Sequence, residues 1–312
     1  MSDAATHHIT LSHRVQYAAL RGAVGALDAL GIRRASAVGA RLGALAYAPL
    51  GIRRAVVERQ LRAAFPDWPA GRARDVARAS YESLGRTFIE TAVLPSYSPE
   101  DVIALFERVD NWEVVERARA LGRGLIVLTG HLGNWELGGS YLAARGIPLD
   151  AVARGMQNPL FDGYLTRTRE RIGMTVIHDA DAVRQVPRAL RGGRAVAFLF
   201  DQGAAGLAST WVPFFGRLAK TPRGPAVFAL RLDAPMVFGA AIRQPSGRFA
   251  ISFELVETVR TGDRETDVDA IVAAYTNALE RWVRRAPDQY FWHHRRWKHQ
   301  RPGTPPQLGD PS

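Results

Sequence analysis

The 312-residue chain predicts an α/β fold, with a central, mainly parallel sheet flanked by helices and a helical region in front of it. Three observations carry this. From Gly124 onward, short apolar runs alternate with amphipathic stretches, as they do where each strand of a parallel sheet is followed by a crossover helix. Before Gly124 the pattern is helical and holds no strong strand. Finally, 47% of the residues are hydrophobic, ample for a sizeable core.

Taken in order, residues 1–12 read as a loose polar leader. Val15 to Leu50 is rich in Ala, Leu, Gly and Val but interrupted by Arg21, Asp28, Arg33, Arg34 and Arg41. This suits two helices broken near Gly31-Ile32. They are apolar enough to lie on a bilayer, with arginines placed to meet lipid phosphates, or else form a pair of amphipathic helices packed on the rest of the domain. Arg53, Arg54, Arg59 and Arg62 stud a further helix ending near Phe65-Pro66, and another runs from Ala70 to Val93. Ser98-Pro99-Glu100-Asp101 reads as an N-cap, a first-turn proline and two acids that complement the helix dipole. Asp110 with Glu113 resembles a capping box for a helix to about Leu121.

The expected strands are Leu125–Thr129, Ala151–Arg154, Met174–His178, Ala195–Phe200, Pro235–Ala241 and Phe249–Val256. Helices are expected at Pro159–Ile172, Ala182–Arg191 and Gly224–Leu232, and Val268, Val272, Tyr275, Leu279 and Trp282 mark one face of a long last helix. The division is thus a leader (1–12), a helical region (13–122), an α/β core (123–300) joined with it in one domain, and a disordered Pro/Gly-rich tail (301–312).

The composition narrows the function classes. Without cysteine there is no disulfide framework, thiolate metal site or cysteine nucleophile. A net charge of +11 calls for an anionic partner: nucleic acid, an anionic membrane face, a phosphorylated lipid or an acidic carrier protein. Met1 to Thr10 carries no secretory signal, and no uninterrupted apolar run is long enough to span a bilayer.

The chemistry centres on Gly124 to Ser140, GLIVLTGHLGNWELGGS. His131 falls between a strand end and a helix start, where open α/β sheets place their chemistry. On one continuous helix, five positions would rotate His131 and Glu136 roughly 140° apart. They meet only if His131 precedes the helix and Glu136 reaches back from its first turn to fix the tautomer. Such a pair can take a proton from a hydroxyl; the alternative is a core histidine beside a helix-capping glutamate. No G-x-S-x-G elbow supplies a serine nucleophile, and neither His178 nor the His293-His294 pair forms a metal-ligand cluster with His131.

Other candidates surround this pair. Asp201-Gln202-Gly203 follows a strand, which puts Asp201 on the same sheet edge as His131, as an orienting acid or simply a turn residue. Arg154, with Gln157-Asn158-Pro159 behind it, can contact a phosphate or an oxyanion, as can amides near Gly133-Asn134. Trp211-Val212-Pro213-Phe214-Phe215-Gly216 is an apolar loop that either walls an acyl chain or belongs to the core. Lys220 and Arg223 supply bases beside a helix N-terminus. Tyr290 to Arg301 mixes aromatics with bases; lacking a recognised nucleic-acid module, it reads as a basic rim for a membrane or an acidic partner.

Together these segments resemble the bacterial lipid A secondary acyltransferases, the lauroyl and myristoyl transferases of lipopolysaccharide biosynthesis, within the lysophospholipid acyltransferase-like superfamily. The resemblance runs from about His13 to Lys298. It includes RRAVVERQLRAAFPD, SLGRTFIET, GHLGNWE (an H-x4-D/E motif), ARGMQNP, FLFDQG, VPFFG with TPRGPA, and QYFWHHRRWK. It implies a glycerolipid acyltransferase-like fold and transfer of a fatty acyl group from an acyl carrier protein thioester to a glycolipid hydroxyl. The work would be done at the cytoplasmic face of the inner membrane, by a peripheral or monotopic enzyme without metal or organic cofactor. It also implies His131 as general base, Glu136 as its partner, Arg154, Asp201 and Asn134 as supporting or oxyanion groups, and Arg223, Lys220, Trp211 and Phe214 at the substrate. Gly203 stands where many members carry a second acid. The acceptor therefore stays open between a lipid A precursor, a lysophospholipid, an aminolipid and a glycosylated phospholipid; the distant alternative is a basic, non-enzymatic nucleic-acid-binding protein in which His131 and Glu136 are structural.

Overall fold

The computed structural model describes residues 9–156, 158–203 and 206–311; most of the leader, and Gln157, lie outside them. Helices α1 (Leu11–Asp28) and α2 (Ile32–Tyr47) are separated at Gly31, whose φ of +71° stops the first and starts the second. Helix α3 (Arg54–Ala64) follows, then α4 (Ala70–Val93). Helices α2 and α4 touch backbone to backbone: a Cβ on Gly43 would sit 2.0 Å from the Tyr81 carbonyl oxygen, and one on Gly85 2.1 Å from that of Gly39. The packing leaves Leu42, Leu45 and Phe88 exposed, as are Leu11 and Val15 on α1. No helix among the described residues is long and apolar enough to cross a membrane.

Helix α5 (Pro99–Ala104) is capped by Ser98 and Asp101 in a reciprocal box. A strand then appears that the sequence pattern did not suggest, β1 (Phe106–Asp110). Its residues FERVD lack an apolar run, because it sits at one edge of the sheet and pairs with a segment far along the chain, Phe106 opposite Phe249. Asp110 accordingly ends a strand and accepts from the Ser252 hydroxyl, while helix α6 (Trp112–Ala120) starts from Asn111 without a side-chain cap.

The α/β core runs β2 (Leu125–Thr129), α7 (Trp135–Ala144), β3 (Leu149–Ala153), α8 (Pro159–Arg171), β4 (Met174–His178), α9 (Ala182–Arg191) and β5 (Ala195–Leu199). After it come β6 (Ser209–Phe214), β7 (Arg217–Pro222), α10 (Gly224–Leu232), β8 (Met236–Arg243), β9 (Phe249–Val256) and α11 (Arg264–Arg285). Seven strands form one sheet in the order β1-β9-β8-β2-β5-β3-β4. All neighbours are parallel except β8 and β9. The apolar loop expected at Trp211–Gly216 is instead half of the β6–β7 hairpin. Its two turn residues, Phe215 at φ +52° and Gly216 at +71°, have the left-handed backbone of the tight turns that match strand twist.

One apolar cluster joins Tyr47, Val57 and Leu61 of the N-terminal helices to Ile126, Leu128 and Phe198 of the sheet and to α11, so the helical region and the sheet share a core. A second covers the opposite face, with Val127, Leu137, Tyr141 and Phe253. The Tyr290–Arg301 segment, read as a basic rim, mostly lies inside: Tyr290, Trp292, Arg296 and Trp297 are buried, whereas Lys298 and His299 are exposed. The tail, expected to be disordered, is described as far as residue 311, and Arg217 donates to the Gly309 carbonyl at 3.0 Å.

Candidate active site

Strands β2 and β5 lie side by side in parallel, with Thr129 opposite Leu199. His131 and Asp201 each stand two residues beyond that pair, so the register delivers them to the same place at the carboxyl end of the sheet. Asp201 Oδ2 accepts the His131 backbone N–H at 2.9 Å, and Oδ1 lies 2.7 Å from Nδ1. Asp201 is 2% exposed. Burial alone would raise its carboxyl, but the His131 imidazole and hydrogen bonds, helped by the Arg296 guanidinium, bring it down to about 2. An ionised carboxylate only accepts, so Nδ1 carries the proton and Nε2 is left with a free lone pair. The ring is flanked by Trp135, with centroids 4.8 Å apart, and Phe291, at 5.9 Å.

Glu136, expected to fix the His131 tautomer, does not do so. It occupies the first turn of α7, but its carboxylate takes Arg169 of α8 in a two-pronged pair at 3.1 and 2.5 Å. A guanidinium fork matches a carboxylate better than one imidazole N–H does, and Asp201 already fills that place. Arg169 was not foreseen, since nothing local in PLFDGYLTRTRER separates it from its neighbouring bases.

The backbone after His131 is held on all sides. Gly133 has φ +61°, and a Cβ there would lie 2.0 Å from the Ala241 carbonyl oxygen. Gly133 N–H donates to Gln289 O, Asn134 N–H to Ala241 O, and Phe291 N–H to His131 O. Asn134 is fully buried: its Oδ1 caps α7 at Leu137 N–H and its Nδ2 donates to Glu90. It therefore builds the loop and does not face the cavity. The Tyr290 phenol is pushed well above its ordinary value by burial and the neighbouring Asp201 carboxylate. Buried Arg296 donates to Lys220 O and Thr221 Oγ1 from the same segment.

His131, Trp135, Glu136 and Arg169 open onto a cavity of about 860 Å³. One branch runs between α7 and the sheet, lined by Gly138 and Gly139 on the helix and by Ala151 and Ala197 on the strands; small side chains on both walls make the room. Val127, Leu142 and Phe253 line it further. Arg154 stands at the cavity, 73% exposed, with Nε 3.9 Å from Asp179.

The four remaining candidates lie elsewhere. Arg223 turns to Glu265 at 2.7 Å, and Phe214 is in the aromatic core beside Trp297. Trp211 and Lys220 face each other across the hairpin, and none of the four is among the described residues lining the cavity. Their hairpin supports the site from behind, through Arg296.

Residues 6–299 match the family described as bacterial lipid A biosynthesis acyltransferase. Similar proteins include the lipid A biosynthesis palmitoleoyltransferase of Escherichia coli (strain K12), 28% identical over 262 residues and 84% of each chain. The lauroyltransferase of the same strain is 28% identical over 86% of each chain. The phosphatidylinositol mannoside acyltransferase of Mycobacterium tuberculosis (strain ATCC 25618 / H37Rv) is 28% identical over 71% of this chain and 70% of its own.

Proposed function

The chain belongs to the bacterial lipid A biosynthesis acyltransferase family and is an acyltransferase, and from that premise we propose that it moves a fatty acyl chain from an acyl carrier protein thioester to a hydroxyl of a lipid A precursor. The observation that carries the mechanism is the His131–Asp201 pair at the mouth of a cavity with an apolar branch. Asp201 holds the imidazole so that Nε2 faces the acceptor hydroxyl and takes its proton, worth roughly 10²–10⁴-fold in rate. The alkoxide attacks the thioester carbonyl carbon, the tetrahedral oxyanion collapses, and the departing thiolate recovers the proton from His131. No covalent enzyme intermediate forms. The branch between α7 and the sheet takes the acyl chain, and Arg154 at the rim meets an anionic headgroup. The Glu136–Arg169 pair braces α7 against α8 beside the reacting atoms.

The exposed Leu11, Val15, Leu42, Leu45 and Phe88 suit peripheral attachment at the cytoplasmic face, where acyl carrier protein is found. The +11 charge suits both an acidic carrier protein and a phosphorylated acceptor. The mycobacterial relative favours a second reading in which the acceptor is a glycosylated phospholipid. Purified enzyme given acyl-carrier-protein thioester and a panel of both acceptor types, followed by mass spectrometry, decides between them. Loss of transfer in His131→Ala is expected. Undiminished transfer by a folded His131→Ala variant refutes the base assignment.

A further inference from the structure

Acyl transfer through a tetrahedral intermediate needs a hydrogen-bond donor for the oxygen that gains negative charge. The N–H groups of Gly133 and Asn134 are occupied, by Gln289 O and Ala241 O, as is that of His131, by Asp201. The Asn134 side chain is spent on α7 and Glu90, and Arg154 stands out at the rim.

His294 is placed differently. It comes from the C-terminal segment and lines the same cavity as His131. No ring hydrogen bond engages it among the described residues, while its backbone is clamped. The fully buried Gln60 donates to the Trp292 and His294 carbonyls, the latter at 2.9 Å, and accepts Arg296 N–H at 2.8 Å. His294 N–H also donates to Phe291 O, so the ring rides on a fixed mount.

We propose that His294 is a second catalytic imidazole, whose ring N–H donates to the thioester carbonyl oxygen as it becomes the oxyanion. This rests on the acyl-transfer reading above and adds a side-chain oxyanion donor to it. Burial, with Lys298 and Arg296 adding to it against the pull of Asp201, lowers His294 to about 4. It is therefore neutral near pH 7 and adds no second positive charge beside His131 as that ring takes the hydroxyl proton. A neutral imidazole suffices to polarise a carbonyl. During the step the bond from alkoxide to carbonyl carbon forms and the carbon–sulfur bond breaks. The His294 proton stays on its nitrogen throughout, shared with the oxyanion, while the transferred proton passes from hydroxyl to His131 to thiolate.

The test compares two variants of similar volume, His294→Leu and His294→Gln, in the purified full chain with acyl-carrier-protein thioester and a lipid A-type acceptor. Leu removes the donor and should lower kcat by roughly 10²–10³-fold with both KM values within about threefold of wild type. Gln restores an N–H and should recover at least about tenfold of that loss. Equal kcat in the Leu variant and wild type overturns the assignment, as does a loss confined to KM or a Gln variant no better than Leu. Thermal melts identify a variant that fails to fold, and His294→Asn against His294→Ala then makes the same comparison. A wild type that transfers no acyl group overturns the acyl-transfer reading and this assignment together. An active wild type with an unimpaired Leu variant overturns this assignment alone.

Discussion

Asp201 accepts two hydrogen bonds from the same residue, the backbone N–H of His131 at 2.9 Å and its Nδ1 at 2.7 Å. One carboxylate thus fixes both where the residue sits and which ring nitrogen is free. Asp201→Asn keeps the volume but presents an N–H that favours the other tautomer. It should lower kcat by roughly 10³–10⁴-fold with little change in KM, measured by steady-state acyl transfer.

Glu136→Gln should behave differently. Both Glu136 and Arg169 are 15% exposed, and removing one charge leaves the other with poor solvation. A loss of roughly 1–3 kcal/mol in urea unfolding is expected, with a smaller kinetic effect than in Asp201→Asn. The double variant Glu136→Gln with Arg169→Met should recover most of that stability. If Glu136→Gln slows turnover as much as Asp201→Asn while melting like wild type, Glu136 has a direct chemical role.

The apolar branch of the cavity depends on side chains that are absent. Ala197 is paired in register with Val127 on one side and Ala151 on the other, all lining the branch. Ala197→Phe should fill it and shift transfer to shorter acyl chains, each excluded methylene forfeiting about 0.8 kcal/mol of binding. Competition between thioesters of different length, read by mass spectrometry of the product, checks this. An unchanged length preference places the chain elsewhere.

His293 stands against Tyr81 and Phe291, and neither ring nitrogen has a hydrogen-bond partner among the described residues. Burial, and to a lesser degree Arg53, lowers it to about 4. The unfolded chain takes up a proton below about 6.5 while the folded one does so only below about 4. Its contribution is therefore intact above pH 6.5 and is lost as the pH falls to 4. His293→Phe should cut the loss of stability between pH 7 and pH 5 by roughly 2 kcal/mol, leaving the part due to His294, which has the same sign. Parallel denaturant curves for wild type and variant across that range would show no such effect present.

Much of the site's frame is legible because it is local. The run Leu125–Thr129 and the turn after it announce a strand leading to His131, and Asn134 and Glu136 fall where a helix would start. Choosing between Glu136 and Asp201 as the His131 partner was not a local matter. It depends on the register of two strands that are 70 residues apart in the chain, which no five-residue spacing encodes. The edge strand β1 escaped for the same reason, since its partner arrives only at Phe249. QYFWHHRRWK misled through its charges. Its arginine at 296 is a buried cation beneath Asp201, and that follows only from the hairpin carbonyl and hydroxyl waiting for it.

The segment at 289–297 is the last part of the site to be synthesised. It reaches back to Gly133 through Gln289 O, to His131 through Phe291 N–H and to Asp201 through Arg296. A nascent chain carries its histidine and aspartate long before it carries these contacts. Because those contacts come last, a chain cut short before Tyr290 keeps the His131–Asp201 pair but loses the hydrogen bond from Phe291 N–H to His131 O and the Arg296 charge near Asp201.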